Sequence, residues 1–209
     1  MKNTKPVVIF DFDGTIADTF VLTIDIFYKL RPRWPVLPKG EVERLRGMAM
    51  LQLARELRIP FWQVPFLLMR GRKIMASKLS SIALIKGVDD VIRQLHAEGC
   101  MLYVISANSK SNVTGFLDHY DLLKYFTDVK GLEGLFGKAR IIRKLLKSTR
   151  TSPDHAYYIG DEVRDIEAAH KAGVHSIAVS WGFNNIKILS KHNPEKIVFD
   201  PDEIIGAIK

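Results

Sequence analysis

A Rossmann-like α/β fold, with a parallel sheet covered by helices on both faces and a small all-helical insertion, is predicted by three observations. After Gly87 helical and strand signals alternate, and the strands are nearly continuous apolar runs, as expected where both faces are buried. Residues 17–85 break the alternation with helix-like segments that prolines start or interrupt. The 209 residues suffice for one large domain carrying a smaller one, so the division expected is a core of residues 1–16 and 86–209 and an insert of 17–85.

Taken in order, "VVIF" at Val7–Phe10 reads as the first buried strand, running into "DFDGT". In the insert, "DTFVLTIDIFYKLR", "EVERLRG", "LQLAREL" and "FWQVPFLLMRGRKIMASKL" are helical in pattern, and no strand alternation is visible among them. "VDDVIRQLHAEG" is then an amphipathic helix closed by Gly99, and "CMLYVIS" a strand. A helix near Ser111–His119, a short strand at Phe126–Val129 and a helix from Lys138 follow. "AYYIG" is a further strand, "VRDIEAAHKAG" a helix stopped by Gly173, "HSIAVS" and "KIVF" the last strands, and "PDEIIGAI" a final helix.

Composition narrows the function. The single cysteine, Cys100, cannot form an internal disulfide and sits in an apolar run, which suits a reducing compartment. No apolar stretch approaches the ~18 residues of a membrane span and the N-terminus lacks a signal-peptide core, so a cytoplasmic protein with no membrane partner is expected. The net charge of +8 is concentrated in the insert, which carries twelve Lys or Arg against five Asp or Glu. Clusters such as "RPRW" and "MRGRK" are a weak nucleic-acid signal beside the commoner solvated helical face; a field that attracts small anions is the better reading. Oligomeric state leaves no mark in the sequence.

Ligands of open α/β sheets bind beyond the carboxyl ends of the strands. Those ends carry Asp11 and Asp13, then Ser106, Ala107 and Asn108, then Asp161 and Glu162 with Asp165 following, while Lys138 starts an intervening helix. Asp13-Gly14 alone would equally serve a hairpin turn, Ser106 a helix cap, and Asp165 a helix N-terminus. Together, however, crowded carboxylates repel unless a cation sits among them. Asp11, Asp161 and Asp165 form a hard oxygen donor set suited to Mg²⁺, whereas one Cys and six scattered His offer no zinc spacing. If an aspartate attacks a phosphate monoester, repulsion at ~3.3 Å and an effective dielectric of ~20 is about 5 kcal/mol per pair of unit charges. A metal, Lys138, the Ser106 hydroxyl and backbone N–H groups would offset it.

In this order along the chain, "DFDGT", "VISANS", "GKARII" and "YIGDEVRD" resemble the four motifs of the haloacid dehalogenase superfamily, and the helical insert resembles the cap of its phosphatases. The resemblance implies that Asp11 is a nucleophile forming an aspartyl-phosphate and a metal ligand. It implies that Asp13 is general acid and then base, lending its backbone carbonyl to the metal. Asp161 would ligate Mg²⁺, with Asp165 and Glu162 ligating through water or orienting the site. Ser106 and Lys138 would bind the phosphoryl group, supported by Ala107 and Asn108.

A Mg²⁺-dependent phosphatase acting on a small phosphate ester is therefore the expected function. "DGTIADT" and "VSWGFN" resemble segments of phosphoglycolate phosphatases, which makes phosphoglycolate the example substrate. A sugar phosphomutase would use the same residues, and a non-catalytic phosphate-binding module would keep the fold. Carbon dehalogenation fits poorly because Asp13 is present, and a signalling receiver domain fits neither Asp13 nor the insert. Within the basic insert, Arg46 is the candidate for gripping an anionic group of the substrate.

Overall fold

The computed structural model describes residues 5–30, 40, 44–45, 48, 55–56, 58–131 and 137–208. Its centre is a six-stranded sheet built from β1 (Val7–Phe10), β4 (Met101–Ser106), β5 (Phe126–Gly131), β6 (Ala156–Gly160), β7 (His175–Val179) and β8 (Lys196–Val198). The order is β5-β4-β1-β6-β7-β8 and every pairing is parallel. Two further strands, β2 (Ala17–Asp18) and β3 (Ala83–Leu84), form a separate antiparallel ribbon.

Alternation along β1 explains the two covered faces, because successive side chains leave a strand on opposite sides. Val8 and Phe10 join a core with Val88, Val91, Ile92 and Leu95, and with Val113, Phe116 and Leu117. These come from α3 (Val88–Ala97) and α4 (Lys110–His119). Val7 and Ile9 join a second core with Ile142, Leu145 and Leu146 of α5 (Lys138–Thr149) and Ala168, Ala169 and Ala172 of α6 (Val163–Ala172). Burying all four residues of β1 completely is what its uninterrupted apolar sequence requires.

The chain leaves the core through β2 and returns through β3, paired Ala17 to Leu84 and Asp18 to Ala83. Between them lie α1 (Phe20–Leu30) and α2 (Val64–Ala76), which pack against each other. Pro65 stands in the first turn of α2, where its missing N–H is no loss. Strands of two residues are too short for period-two alternation, so no sequence pattern announced this ribbon. The expected helical segments at 41–47 and 51–57 lie largely outside the described residues. The final helix expected at "PDEIIGAI" is present and winds as a 3-10 helix at Pro201–Ala207. A short α7 (Ile186–Lys191), capped by the Asn185 side chain, lies before β8.

Register brings the strand ends level. Phe10 lies beside Val104 on one flank and Ile159 on the other, so the residues that follow β1, β4 and β6 emerge together. The chain places β4 and β5 to one side of β1 and β6 to β8 to the other, which makes the carboxyl end of β1 the switch point where such sheets bind ligands.

Candidate active site

Asp11 continues the β1 ladder, its N–H donating to the Ile159 carbonyl at 2.8 Å. Its carboxylate accepts from the Phe12 N–H at 2.8 Å and from Lys138 Nζ at 2.6 Å. Lys138, first residue of α5 and buried, donates equally to Asp165 Oδ1 at 2.6 Å. The other Asp165 oxygen accepts the Glu162 N–H at 3.1 Å, so one carboxylate both caps the start of α6 and anchors the lysine. Lys144 and Lys147, the neighbouring lysines, are exposed.

Asp161, directly after β6, is fully buried and accepts two hydrogen bonds, from Thr15 Oγ1 at 2.8 Å and from the Phe183 N–H at 2.7 Å. Asp11, Asp161 and Asp165 each place a carboxylate oxygen within 4.8 Å of the others. Such crowding shows in their acidities. Burial, opposed by Lys138 and reinforced by Asp165, lifts Asp11 to about 7. Burial, then the negative charges of Glu162, Asp165 and Asp11, hold Asp161 well above the ordinary carboxylate range. Lys138, although burial pulls it down, is held above its usual value by Asp11 and Asp165.

This donor set suits a hard divalent cation. It consists of carboxylates alone, without His or Cys, and its one buried lysine cannot balance three acids. Two glycines leave the cluster room. A Cβ on Gly182 would lie 2.2 Å from Asp161 Oδ2, and one on Gly14, whose φ is +77°, would lie 2.3 Å from the same atom.

Asp13 stands two residues beyond Asp11 and is partly buried. Asn108 Nδ2 donates to both its oxygens, at 3.3 and 3.1 Å, and burial raises its carboxyl pKa despite those bonds. Ser106 ends β4 fully buried, its Oγ accepting the Asn108 N–H at 3.0 Å. Ala107 offers its carbonyl to Arg72 Nη2 of α2 at 2.8 Å. Glu162 pairs instead with Arg164 Nη2 at 2.6 Å. The sequence reading thus finds Asp11, Asp161, Asp165 and Lys138 in one cluster, with Asp13 and Asn108 joined beside it. Arg46 lies outside the described residues.

Several contributors carry weaker sequence signals. Arg164 brings a cation beside the acids, with Nε and Nη1 buried and without hydrogen-bond partners. Thr15, Gly14 and the Gly182-Phe183 backbone shape the Asp161 pocket; only the glycines of "DGT" and "SWGFN" hinted at close approach. Trp181 donates Nε1–H to the Thr15 carbonyl at 3.3 Å, and Phe183 packs edge-on against Phe20 of α1.

The sequence pattern of the Haloacid dehalogenase-like hydrolase family matches residues 8–179, a span that contains every acid described above. The chain belongs to this family. It is an enzyme of the phosphatase type. A phosphoglycolate phosphatase of Synechococcus elongatus is 30% identical over 203 residues, 96% of each chain. A haloacid dehalogenase-like hydrolase of Streptococcus pneumoniae superposes with a TM-score of 0.79 at 19% identity, over 98% of this chain and 99% of its own. A predicted phosphatase of Clostridium acetobutylicum reaches 0.82 at 22% identity over 99% of both chains. Among the described residues no helix is long and apolar enough to cross a membrane.

Proposed function

We propose that this enzyme is a Mg²⁺-dependent phosphatase that hydrolyses a small phosphate monoester through an aspartyl-phosphate on Asp11. The observation that carries the reading is the Asp11–Lys138–Asp165 bridge lying beside Asp161 at the switch point of the sheet. Asp11, Asp161 and Asp165, with the Asp13 carbonyl that the family resemblance adds, would hold the metal. When bound, Mg²⁺ supplies positive charge that offsets repulsion between the carboxylates and the substrate phosphoryl group.

Lys138 and Ser106 hold phosphoryl oxygens, and Lys138 fixes Asp11 for in-line attack. As the Asp11 oxygen bonds to phosphorus, the ester P–O bond breaks and Asp13 delivers its proton to the leaving alcohol. The raised pKa of Asp13, due first to burial, suits it to carry that proton. Asp13, now a carboxylate, removes a proton from the water that attacks the aspartyl-phosphate, releasing phosphate and restoring Asp11.

Residues 17–85 form the substrate-selecting cap in this reading, supported by the basic balance of that segment and by the hydrogen bond from Arg72 to Ala107 beside the site. Phosphoglycolate, the substrate in the name of the Synechococcus relative, is the favoured candidate. Arg46 would grip its carboxylate, so Arg46→Ala should raise KM for carboxylated substrates more than for neutral ones. The decisive experiment is a panel of phosphorylated metabolites and a generic aryl phosphate, assayed with Mg²⁺ and after chelation. Turnover that persists in EDTA, or in Asp11→Asn, would refute the proposal.

A further inference from the structure

The Asp13 carboxylate does not stand alone. Both its oxygens accept from the amino group of Asn108, and the orientation of that amide is itself determined by its neighbours. Asn108 Oδ1 accepts from the Ser109 N–H at 2.8 Å and from Asn112 Nδ2 at 3.0 Å. Asn112 Nδ2 also donates to the Arg72 carbonyl in α2 at 3.1 Å. A backbone carbonyl can only accept, so the amino side of Asn112 must face Arg72, and the same amino group then faces the Asn108 oxygen. Asn108 is left with its NH₂ toward Asp13. Asn112 and Asn108 are each about 4% exposed, so water cannot substitute for a lost bond at either amide.

We propose that Asn112 is a positioning residue for the reaction: acting through Asn108, it holds the Asp13 carboxyl in the orientation needed to protonate the leaving alcohol. The inference rests on the reading of Asp13 as general acid. It goes beyond that reading by giving the acid a supporting chain that reaches the inserted helix α2. Arg72 closes the link in both directions, since its Nη2 donates to Ala107 while its carbonyl receives Asn112. The placement of α2 is thereby transmitted to the acid through four hydrogen-bonded residues.

The chemistry supplies a readout that a merely structural role would not move. Proton donation matters most when the leaving group is a poor one, such as an alkoxide, and little when it is p-nitrophenolate, which departs unaided. Asn112→Asp keeps the shape but presents acceptors to two acceptors. The Asn108 amide then loses one of the two donors that hold its oxygen and is repelled by the new carboxylate, leaving only the Ser109 N–H to keep its NH₂ toward Asp13. In the Mg²⁺-loaded full-length enzyme, kcat for an alkyl phosphate should fall at least about tenfold more than kcat for p-nitrophenyl phosphate, part of the 10²–10⁴-fold typical of general acids. KM for both should stay within about twofold, because no phosphate contact is lost.

Asn112→Leu removes the donors without adding charge and should show the same selective loss. It serves as the test should a buried aspartate prevent folding. Asp13→Asn is the reference, expected to show a larger selective loss, and combining it with Asn112→Asp should add nothing. Equal losses on the two substrates in both Asn112 variants, or additive losses in the double variant, would overturn the inference. Equal losses in Asp13→Asn itself would instead overturn the reading of Asp13 as acid, and the inference with it.

Discussion

Replacing Asp11 by Asn should abolish turnover and, at the same time, stabilise the metal-free protein above neutral pH. Burial holds the Asp11 carboxyl at about 7 against an ordinary value of 3.8, even with Lys138 Nζ 2.6 Å away. The folded state therefore binds a proton that the unfolded chain releases, and stability falls as pH rises from about 4 to about 7. Roughly three pKa units at ~1.4 kcal/mol each give a penalty of about 4 kcal/mol, fully present by pH 8 and nearly absent at pH 4. Asn does not incur it, but its amino group must face one of the two donors from which Asp11 accepts, the Phe12 N–H or Lys138 Nζ, at a cost of about 1–3 kcal/mol, while Lys138 keeps Asp165 as its partner. The net gain of about 1–3 kcal/mol corresponds at this chain length to a rise in Tm of roughly 3–10 °C. Thermal and urea unfolding in EDTA at pH 4, 6 and 8, with aryl-phosphate hydrolysis in Mg²⁺ alongside, measure both effects. A difference that does not grow with pH, or an Asp11→Asn variant less stable than its parent at pH 8, would refute the electrostatic reasoning.

Other perturbations test the same site. Lys138→Met leaves Asp11 and Asp165 buried without their cation and should cost about 3–5 kcal/mol in chelator along with all activity, as read by urea denaturation. Gly182→Ala sets a methyl group 2.2 Å from Asp161 Oδ2, so calorimetry should find Mg²⁺ binding lost or strongly weakened while the sheet still folds. Because burial and the neighbouring acids hold Asp161 above the ordinary carboxylate range, protons should compete with a metal for it. Titrations in buffers of different ionisation enthalpy should show proton release, and affinity should weaken as pH falls; binding without proton uptake by the buffer would contradict the assignment of Asp161.

Much of this architecture could be read from residue patterns because burial writes itself plainly. Four consecutive apolar residues in β1, each fully buried, fit a strand covered on both faces, and the acids sit at strand ends that the sheet topology brings level. Lys138 was separable from Lys144 and Lys147 only through its motif; the structure separates them by burial. What the pattern missed depends on contacts distant in the chain or on elements too short to have a period. The β2–β3 ribbon is four residues in all. The Thr15–Asp161 bond spans 146 positions, and Arg164 looked like any basic residue on a helix until its partner Glu162 proved buried. The last segment kept its helical composition but took the tighter 3-10 winding, a distinction that propensity does not encode.

The ribbon of β2 and β3 has a consequence for how such an enzyme changes over generations. Exit and re-entry points of the chain are bonded neighbours, so the backbone between residues 18 and 83 joins the parallel-sheet region at one place, while Ile26, Met75 and Ile82 pack into the main core. Changes in length away from those three residues leave the pairing of the six parallel strands intact, because the two ends of the segment stay bonded to each other. Under the proposed function, a different substrate preference then requires changes in that segment alone, while Asp11, Lys138, Asp161 and Asp165 keep the places that the parallel sheet gives them.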